Sequence, residues 1–361
     1  MTPAKSDFEL LHSNFQSSMP ILPYLHRVVS NTDLGFDEAQ QAMRSILLGE
    51  VETPVITAFL TALRMKGETA SEVAGFVSAM RQASTPVIVA AGDPVIDTCG
   101  TGGDGAHTFN ISTVASFIVA GAGIRVAKHG NRAISSRSGS ADVLEKLGIP
   151  LIASPEFAAQ AIDTVGIGFL FAPAFHPAVK QVMPARAALK MRTVFNLLGP
   201  LANPAMVRHQ VIGVPGLKEA EMISAALVQL GMERGFVVHG EDGLDEVTTT
   251  GRTAIFEVNA GKVTRWDFHP EQLAIDLVEP GDLAGGDAAE NAEVALRIFQ
   301  GEQGPKRDIV LVNAAFAILV AGRAATIEQA YAAARQSLDS GAALARLQAL
   351  QALSAEYRPA V

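Results

Sequence analysis

Hydrophobic and polar positions follow two different patterns along the chain. In about the first 80 residues, apolar positions recur at helical spacing, and two of the runs are followed by a glycine, Gly49 and Gly67. The spacing predicts a helix over 36–48 and a second over 53–66, with Thr53 as the N-cap. A third helix is predicted to begin at Thr69, because Thr69 and Glu72 have the spacing of a capping box. This region therefore predicts a small helical domain.

From residue 94 onward, short β-branched runs alternate with alanine-rich helical stretches. This alternation is typical of an α/β domain with a largely parallel sheet. The predicted strands are Pro94–Asp97, Ile124–Ala127, Val211–Val214, Phe236–His239 and Ile309–Val312. Near the end, Thr326 is predicted to cap an amphipathic helix.

The segment 173–200 is alanine-rich and interrupted by prolines, which suggests that the chain returns there to the helical domain. We therefore predict a small all-helical domain over 1–88 with about 174–200. The larger domain, 89–173 with 201–361, is predicted to be α/β, with a central, largely parallel sheet flanked by helices.

Composition excludes several classes of protein. The 361 residues carry 28 Lys and Arg against 37 Asp and Glu, a formal charge of −9, which disfavours bulk binding to nucleic acid or anionic membrane. Cys99 is the single cysteine, so no intramolecular disulfide can form. The first residues lack the apolar run of a signal peptide, and a cytoplasmic location is expected.

The densest chemical signal is the segment 97–113, DTCGTGGDGAHTFNIST. It has the form of a strand, a glycine loop and the start of a helix. Glycines let the backbone approach an anion closely, and the free N–H groups at a helix N-terminus favour a phosphate. A tight turn with an ordinary N-cap is the simpler alternative, but four glycines in six residues exceed what a turn requires.

The same glycines also fit a dinucleotide-binding fingerprint, with the spacing of Gly100, Gly102 and Gly105. That fingerprint requires an acidic residue about 20 positions later, at the end of the second strand. The chain has Lys128 and His129 there. The dinucleotide interpretation is weakened, and the phosphate interpretation remains.

Two further segments follow predicted strands. The first, 128–142, collects cations, an amide and hydroxyl groups at the carboxyl edge of the sheet, where α/β proteins bind ligands. The second places Asp245 beside Glu246, and adjacent carboxylates on such a loop suit Mg²⁺ shared with substrate phosphates. An acidic turn is more often simply solvated, so the metal hypothesis depends on the phosphate loops elsewhere.

Taken together, GTGGD, FNIST, KHGNRA, SSRSGSADVLEKLG, RTVFNLLGPLANP and GLDE resemble, in order and spacing, the anthranilate phosphoribosyltransferase family. The resemblance covers essentially the whole chain. It implies the fold shared with pyrimidine nucleoside phosphorylases, a homodimer formed through the helical domain, and Mg²⁺ as cofactor, two ions per chain. It also implies the reaction, in which anthranilate and phosphoribosyl pyrophosphate (PRPP) give N-(5-phosphoribosyl)anthranilate and pyrophosphate in tryptophan biosynthesis.

The resemblance also implies roles for individual residues. The PRPP residues would be Gly100, Thr101, Gly102, Gly103, Asp104, Thr108, Asn110, Ser112, Thr113, Lys128, Ser136, Ser138, Gly139 and Ser140. The anthranilate side would comprise Gly100, His129, Asn131, Arg186, Gly199 and Pro200. Ser112 would contact one Mg²⁺, and Asp245 with Glu246 would bind a second. No general base is assigned, because the anthranilate amine is already neutral at pH 7.

Two alternatives stay open from the sequence. A pyrimidine nucleoside phosphorylase would share the fold and the Lys-His-Gly element, but would carry Gly where Asn131 stands. A non-catalytic, nucleic-acid-binding relative of the same fold should be basic and should lack the metal or anthranilate residues. Phosphorolysis of thymidine or uridine tests the first alternative, and a gel-shift titration tests the second.

Overall fold

The structure, a computed structural model, describes residues 20–133 and 137–358. These residues form two compact units. One contains the described residues of Met1–Ser84 together with His176–Leu198, and the other contains Thr85–Phe175 and Gly199–Val361, again as far as described. No helix in these described ranges is long and apolar enough to cross a membrane.

The first unit is helical. Its elements are α1 (Leu22–Val29), α2 (Phe36–Leu47), α3 (Thr53–Lys66), α4 (Ala70–Gln82), α9 (Met183–Leu189) and the first part of α10 (Phe195–Leu201). The capping box at Thr69 is confirmed, because its hydroxyl accepts from the Glu72 N–H and the Glu72 carboxylate accepts in return. The prediction of Thr53 as an N-cap is wrong by one residue. The carbonyl of Glu52 is the first helical acceptor, so Thr53 is already the first helical residue.

The second unit is built on a seven-stranded sheet in the order β3-β2-β1-β4-β5-β6-β7. Its strands are β1 (Val95–Gly100), β2 (Arg125–Gly130), β3 (Ile167–Phe171), β4 (His209–Gly213), β5 (Arg234–Gly240), β6 (Thr253–Asn259) and β7 (Lys262–Phe268). Strands β1 to β5 pair in parallel, β6 pairs antiparallel with β5, and β7 pairs antiparallel with β6. The predicted largely parallel sheet is therefore confirmed.

Helices flank this sheet. They are α5 (Ile111–Gly121), α6 (Ser140–Lys146), α7 (Pro155–Gln160), α8 (Ala172–Phe175), α11 (Leu217–Gln229), α12 (Ala288–Phe299), α13 (Pro305–Val320), α14 (Ile327–Asp339) and α15 (Ala342–Glu356). The predicted cap at Thr326 is confirmed by its bond from the Gln329 N–H. The main core lies around α5 and α13, where Phe316 of α13 packs edge-on against Phe236 and Phe268 of the sheet.

One predicted strand is wrong. The run Ile309–Val312 lies inside α13, with Pro305 in its first turn and buried residues on every side. A helix that is apolar all round shows no helical periodicity, so a short β-branched stretch of it resembles a buried strand.

Strand β1 is the point where the order of the sheet reverses, because β2 lies on one side of it and β4 on the other. In a parallel sheet the carboxyl ends of the strands at such a point leave a crevice that can bind a ligand. The loops that follow β1, β2, β4 and β5 therefore define the candidate site.

Candidate active site at the carboxyl edge of the sheet

Strands β1 and β4 end in a matched pair of glycines. Gly100 and Gly213 are partners in the parallel register, and the loop after β5 crosses directly over both. A Cβ atom on Gly100 would collide with the Asp245 carboxylate, and one on Gly213 would collide with the Asp245 carbonyl. The absence of side chains at these two positions is therefore what lets Asp245 reach the end of β1.

The glycine loop after β1 has the conformation expected of an anion-binding segment. Gly102, Gly103 and Gly105 all have positive φ, at 69°, 84° and 72°, where residues with a Cβ are strained. The Thr101 N–H donates to the Gly213 carbonyl over 2.9 Å, and the Gly102 N–H donates to the Asp245 carboxylate over 2.7 Å. The glycine loop is therefore joined to the end of β4 through Thr101 and to the acidic loop after β5 through Gly102.

The loop then leads into α5, whose N-terminus lies beside the second carboxylate. Thr108 forms an isolated bridge with Ala284, and Asn110 occupies the N-cap position without a side-chain cap bond. The Ser112 N–H donates to Glu246 Oε1 over 3.2 Å. The Glu246 carboxylate thus stands where a helix N-terminus favours negative charge. Thr113, by contrast, is buried in α5.

Lys128, from the end of β2, brings the positive charge to this edge. Its side chain is buried, and its Nζ donates to the Thr98 carbonyl over 2.8 Å and to the Ser112 hydroxyl over 3.4 Å. It also attracts the Glu246 carboxylate electrostatically. A buried ammonium held in this way contributes a fixed charge beside the N-terminus of α5.

Three carboxylates of like charge gather here. Burial is the largest cause that raises the pKa of Asp245 well above its usual range, and repulsion from Asp104 and Glu246 adds to it. Burial raises the pKa of Glu246 to about 7, even though Lys128 and the Ser112 N–H favour its charged form. The ionised forms of Asp245 and Glu246 are therefore destabilised in the protein alone, and a bound cation would relieve the repulsion.

This donor set fits Mg²⁺. Within 20–133 and 137–358, no group of three or more His, Cys, Asp or Glu side chains is arranged to hold a metal by itself. Mg²⁺ binds hard oxygen ligands and commonly takes only one or two carboxylates, with phosphate and water oxygens completing its shell. Asp245, Glu246 and the Ser112 hydroxyl supply the oxygen atoms that such a shared site requires.

The segment after β2 folds back on itself. A Cβ on Gly139 would collide with the backbone of Arg132 and Ala133, and Asp142 accepts from the N–H groups of Ala133 and Gly139 over 3.0 and 2.9 Å. Arg132 pairs with Asp142 and Glu145, so its charge is satisfied within the segment.

The other predicted residues of this segment are placed as follows. The Ser140 hydroxyl donates to the Asn131 carbonyl over 3.3 Å, and Ser138 is buried beside Asn110, from which its carbonyl accepts. Asn131 is exposed, and its side chain accepts from the Arg132 N–H. Ser136 lies outside the described residues.

His129 is held by Gly199, near the end of α10. The His129 Nδ1 lies 3.0 Å from the Gly199 carbonyl, and because a carbonyl only accepts, Nδ1 donates this hydrogen bond. The carbonyl of the next residue, Pro200, accepts from the Gln210 side chain over 2.7 Å. Gly199 and His129, which the sequence motifs assigned to the same substrate, are therefore in direct contact.

Comparison with known proteins places this geometry in a family. Residues 92–344 match the family described as "Glycosyl transferase family, a/b domain", and residues 22–84 match "Glycosyl transferase family, helical bundle domain". The chain is 54% identical to the anthranilate phosphoribosyltransferase of Solibacter usitatus, over 92% of this chain and 98% of the relative. It is 50% identical to that of Desulfatibacillum aliphaticivorans, over 90% and 96%. The chain belongs to the anthranilate phosphoribosyltransferase family.

Solved structures of the family agree. The anthranilate phosphoribosyltransferase of Thermus thermophilus superposes with a TM-score of 0.87 at 41% identity, covering 92% of this chain and 99% of the other. The Saccharomyces cerevisiae enzyme in complex with PRPP and Mg has a TM-score of 0.86 at 27% identity, covering 93% and 98%. The resemblance drawn from the sequence motifs is confirmed.

The helical unit of this anthranilate phosphoribosyltransferase family member contains the remaining predicted residue, Arg186, on α9. Its guanidinium lies 5.6 Å from the centre of the Phe195 ring, and burial lowers its pKa. In the ranges that the structure describes, no carboxylate lies within ion-pair distance of it. A half-buried cation without a carboxylate partner favours an anionic ligand.

Sequence reasoning missed the buried network beneath the site. Asp97 of β1 accepts from the His129 N–H over 3.3 Å, from Asn203 over 2.9 Å and from Gln210 over 3.1 Å. Asn203 also donates to the Ala127 carbonyl over 2.8 Å. An aspartate inside a predicted strand was a usable signal, because a buried carboxylate requires several donors around it.

Proposed function

We propose that this protein transfers the phosphoribosyl group of PRPP to the amine of anthranilate and releases pyrophosphate, as a step of L-tryptophan biosynthesis. The observation that carries the proposal is a single sheet edge on which the glycine loop, the N-terminus of α5, Lys128 and the pair Asp245 and Glu246 are in contact. Membership of the anthranilate phosphoribosyltransferase family supports the choice of substrates.

The phosphate side of the reaction follows from these contacts. The backbone donors of Gly100–Gly103, with Asp104 and Thr108, would hold the pyrophosphate and ribose, and Asn110, Ser112 and Thr113 would meet the diphosphate. Lys128 and the 136–140 segment would neutralise the phosphates. Donors fixed in advance by the fold stabilise charge that develops on a leaving group without having to reorganise.

Magnesium would be held by Asp245 and Glu246 with substrate phosphate oxygens, and a second ion would contact Ser112. When bound, Mg²⁺ neutralises the charge that builds up on the departing diphosphate. The three-carboxylate cluster supports this assignment, because its repulsion is relieved only by protons or a cation. The count of two ions per chain stays part of the proposal.

The anthranilate side would be formed by His129, Asn131, Arg186, Gly199 and Pro200, with Gly100 between the two substrates. Arg186 is suited to the anthranilate carboxylate, since a guanidinium offers two parallel donors. His129 is fixed against the Gly199 carbonyl through its Nδ1, so its ring would form a rigid part of this side.

In the reaction, the bond from C1 of the ribose to the diphosphate oxygen breaks, and a bond from C1 to the anthranilate nitrogen forms. The leaving electron pair stays on the diphosphate, and the nitrogen loses one proton afterwards. C1 passes through an oxocarbenium-like state, so the residues around it must hold the two substrates in line and exclude water. Because the amine is neutral at pH 7, positioning contributes more than a strong base.

Mixing the purified protein with Mg²⁺, PRPP and anthranilate tests the proposal, with the loss of anthranilate fluorescence as the readout. We expect a time-dependent loss that requires all three components. Phosphorolysis of thymidine or uridine in a parallel assay, or a gel shift with nucleic acid, would instead favour one of the two alternatives. Folded protein that leaves anthranilate fluorescence unchanged would overturn the proposal.

We also propose a homodimer formed through the helical unit and a cytoplasmic location. Among the described residues of the helical unit, five large apolar side chains are exposed to solvent, with exposed fractions of 67% for Val29, 59% for Leu48, 84% for Met65, 49% for Met183 and 42% for Met191. Apolar side chains exposed in this number on a small unit support an interface. The single cysteine is compatible with a reducing compartment.

A further inference from the structure

A chain of hydrogen bonds joins the first turn of α12 to the predicted diphosphate site. The Gly286 N–H donates to Asn291 Oδ1 over 2.8 Å, and Asn291 Nδ2 donates to Asn110 Oδ1 over 3.0 Å. Asn110 Nδ2 then donates to the Ser138 carbonyl over 3.3 Å. Asn291 is buried, with 2% of its surface exposed, and sequence reasoning gave it no role.

The direction of this chain is fixed by the backbone groups at its two ends. A backbone N–H can only donate, so Asn291 must turn its oxygen to Gly286 and its NH₂ group to Asn110. A carbonyl can only accept, so Asn110 must turn its NH₂ group to Ser138. Both requirements agree, because the Asn110 oxygen is left facing the Asn291 NH₂. Neither amide can rotate by 180° without opposing two donors or two acceptors.

The segment that carries Asn291 is itself braced against the phosphate loop. The Gly285 N–H donates to the His107 carbonyl over 2.9 Å, and a Cβ on Gly285 would lie 2.5 Å from the Phe109 nitrogen. Lys306 donates to the Ala284 carbonyl and lies 5.6 Å from the centre of the Phe109 ring. The segment that precedes Asn291 is therefore packed directly against the loop that carries Asn110.

From this arrangement we infer that Asn291 is a positioning residue that fixes the Asn110 amide with its NH₂ group toward the diphosphate. The inference rests on the proposed function for the identity of the anion. One hydrogen of Asn110 Nδ2 is used by Ser138, and the second is available to a phosphate oxygen. A reversed Asn110 would present its oxygen to the phosphate and repel it.

A double-mutant cycle with pyrophosphate and Mg²⁺ as the probe tests the inference. Binding is measured by titration calorimetry on the full chain for wild type, Asn291→Ala, Asn110→Ala and the double variant. Loss of a hydrogen bond to a charged group weakens affinity by roughly 10- to 100-fold. We expect the affinity for pyrophosphate to fall by roughly 10- to 100-fold in Asn110→Ala and by about threefold to tenfold in Asn291→Ala. In the Asn110→Ala background, Asn291→Ala should add nothing, since its effect passes through Asn110.

Two further variants sharpen the test. Asn291→Asp keeps the acceptor for Gly286 but offers Asn110 only an acceptor, so Asn110 should reverse and the affinity should fall further than with Asn291→Ala. Glu290→Gln is the matched control. Glu290 lies in the same helical turn, and its carboxylate accepts from the Asp287 N–H and does not contact Asn110. The affinity of this variant for pyrophosphate should match that of wild type. In turnover assays, Asn291→Ala should raise the KM for PRPP and leave that for anthranilate unchanged.

Two outcomes would overturn the inference. In the first, folded Asn291→Ala binds pyrophosphate like wild type. In the second, Asn291→Ala lowers the affinity for pyrophosphate equally in the wild-type and the Asn110→Ala backgrounds. If Asn291→Asp fails to fold, the alanine cycle still decides. The probe needs no turnover, so wild type that binds pyrophosphate but leaves anthranilate intact defeats the proposed function alone. Wild type that does not bind pyrophosphate defeats both.

Discussion

The protein has two clusters of charge that are shielded from solvent at least in part, and they are built in opposite ways. In the helical unit, Lys66 Nζ lies 2.9 Å from the Glu72 carboxylate and 2.6 Å from that of Asp33. Burial alone would lower the pKa of Lys66, but bonds to Asp33 and Glu72 raise it. At the sheet edge of the α/β unit, Asp104, Asp245 and Glu246 repel one another, and the pKa values of Asp245 and Glu246 are raised.

The difference separates a cluster whose charges the fold satisfies by itself from one that leaves charge for a bound cation, as the proposed Mg²⁺ site requires. Glu72 accepts from the N–H groups of Leu34 and Thr69 as well as from Lys66, so every charge in the helical cluster is satisfied internally. The carboxylates at the sheet edge are satisfied only in part by Lys128 and by backbone donors. A buried group of like charges costs stability and is compensated when a cation is bound.

The largest expected effect comes from removing the like-charged pair. Asp245→Ala combined with Glu246→Ala should lower kcat/KM by roughly a thousandfold or more, about 4 kcal/mol, because it removes ligands for the proposed Mg²⁺. Thermal stability without metal should be unchanged or slightly higher, since repulsion is lost. Steady-state kinetics across a Mg²⁺ titration measures the loss. Glu241→Gln, an exposed acid of the same loop, is the control, and unchanged activity of the double variant would refute the metal hypothesis.

The helical cluster should show the reverse behaviour. Glu72→Ala leaves the buried Lys66 ammonium with only the exposed Asp33 and removes the capping box, so we expect a loss of about 3–5 kcal/mol in the free energy of unfolding. Urea denaturation followed by circular dichroism measures it. Glu50→Gln, an exposed acid of the same unit, should change little. A loss below about 1 kcal/mol would mean that the pair is not a structural element.

Arg186 differs from both clusters, because its half-buried charge contacts the Phe195 ring but has no ion-pair partner in the described ranges. If it binds the anthranilate carboxylate, Arg186→Ala should cost about 2–4 kcal/mol, roughly 30- to 1000-fold in kcat/KM for anthranilate. The KM for PRPP should move far less. Arg186→Lys should recover only part of the loss, because an ammonium lacks the two parallel donors.

Steady-state kinetics with each substrate varied in turn decides this point. An unchanged anthranilate KM and kcat would return Arg186 to an ordinary helix residue. An equal loss for both substrates would also remove it from the anthranilate side.

The sheet-edge cluster should also give a pH dependence. The usual Glu pKa of 4.5 is raised to about 7 at Glu246, so the native state binds the proton more tightly than the unfolded state. Without metal, the free energy of unfolding should therefore fall as pH rises from about 4.5 to 7. We expect a fall of about 1–2 kcal/mol, because the side chain is only partly buried. Urea denaturation in a chelator at several pH values measures it, and the double alanine variant should show a flatter dependence.

A substitution in the apolar surface of the helical unit is expected to have the smallest effect on the rate of the reaction. At micromolar concentration, sedimentation should give about twice the single-chain mass of 37.9 kDa. Met65→Lys should shift the equilibrium toward the single chain and leave the sheet-edge contacts intact. A wild-type protein that sediments only at the single-chain mass would contradict the proposed dimer.

Much of the fold was predictable from local signals. The capping box at Thr69, the cap at Thr326, the glycines after two helices and four of the five predicted strands each depend on a few neighbouring residues, and the structure confirms them with shifts of a few residues. The fifth, Ile309–Val312, was wrong because complete burial removes the periodicity that distinguishes a helix from a strand. Strands β3, β6 and β7 were not predicted. Most residues of the edge strand β7 are exposed, so it lacks the buried β-branched run that marked the predicted strands.

By itself, the sequence determined the types of chemistry available. The glycine loop, the cation at the end of β2 and the adjacent carboxylates after β5 are all visible in the sequence, because each is a short segment with its own composition. Only the tertiary structure decided which of them meet. Asp245 lies over Gly100 and Gly213, which are more than a hundred residues apart, and Asn291 contacts Asn110. Such contacts arise from strand order and helix packing, and no local pattern encodes them.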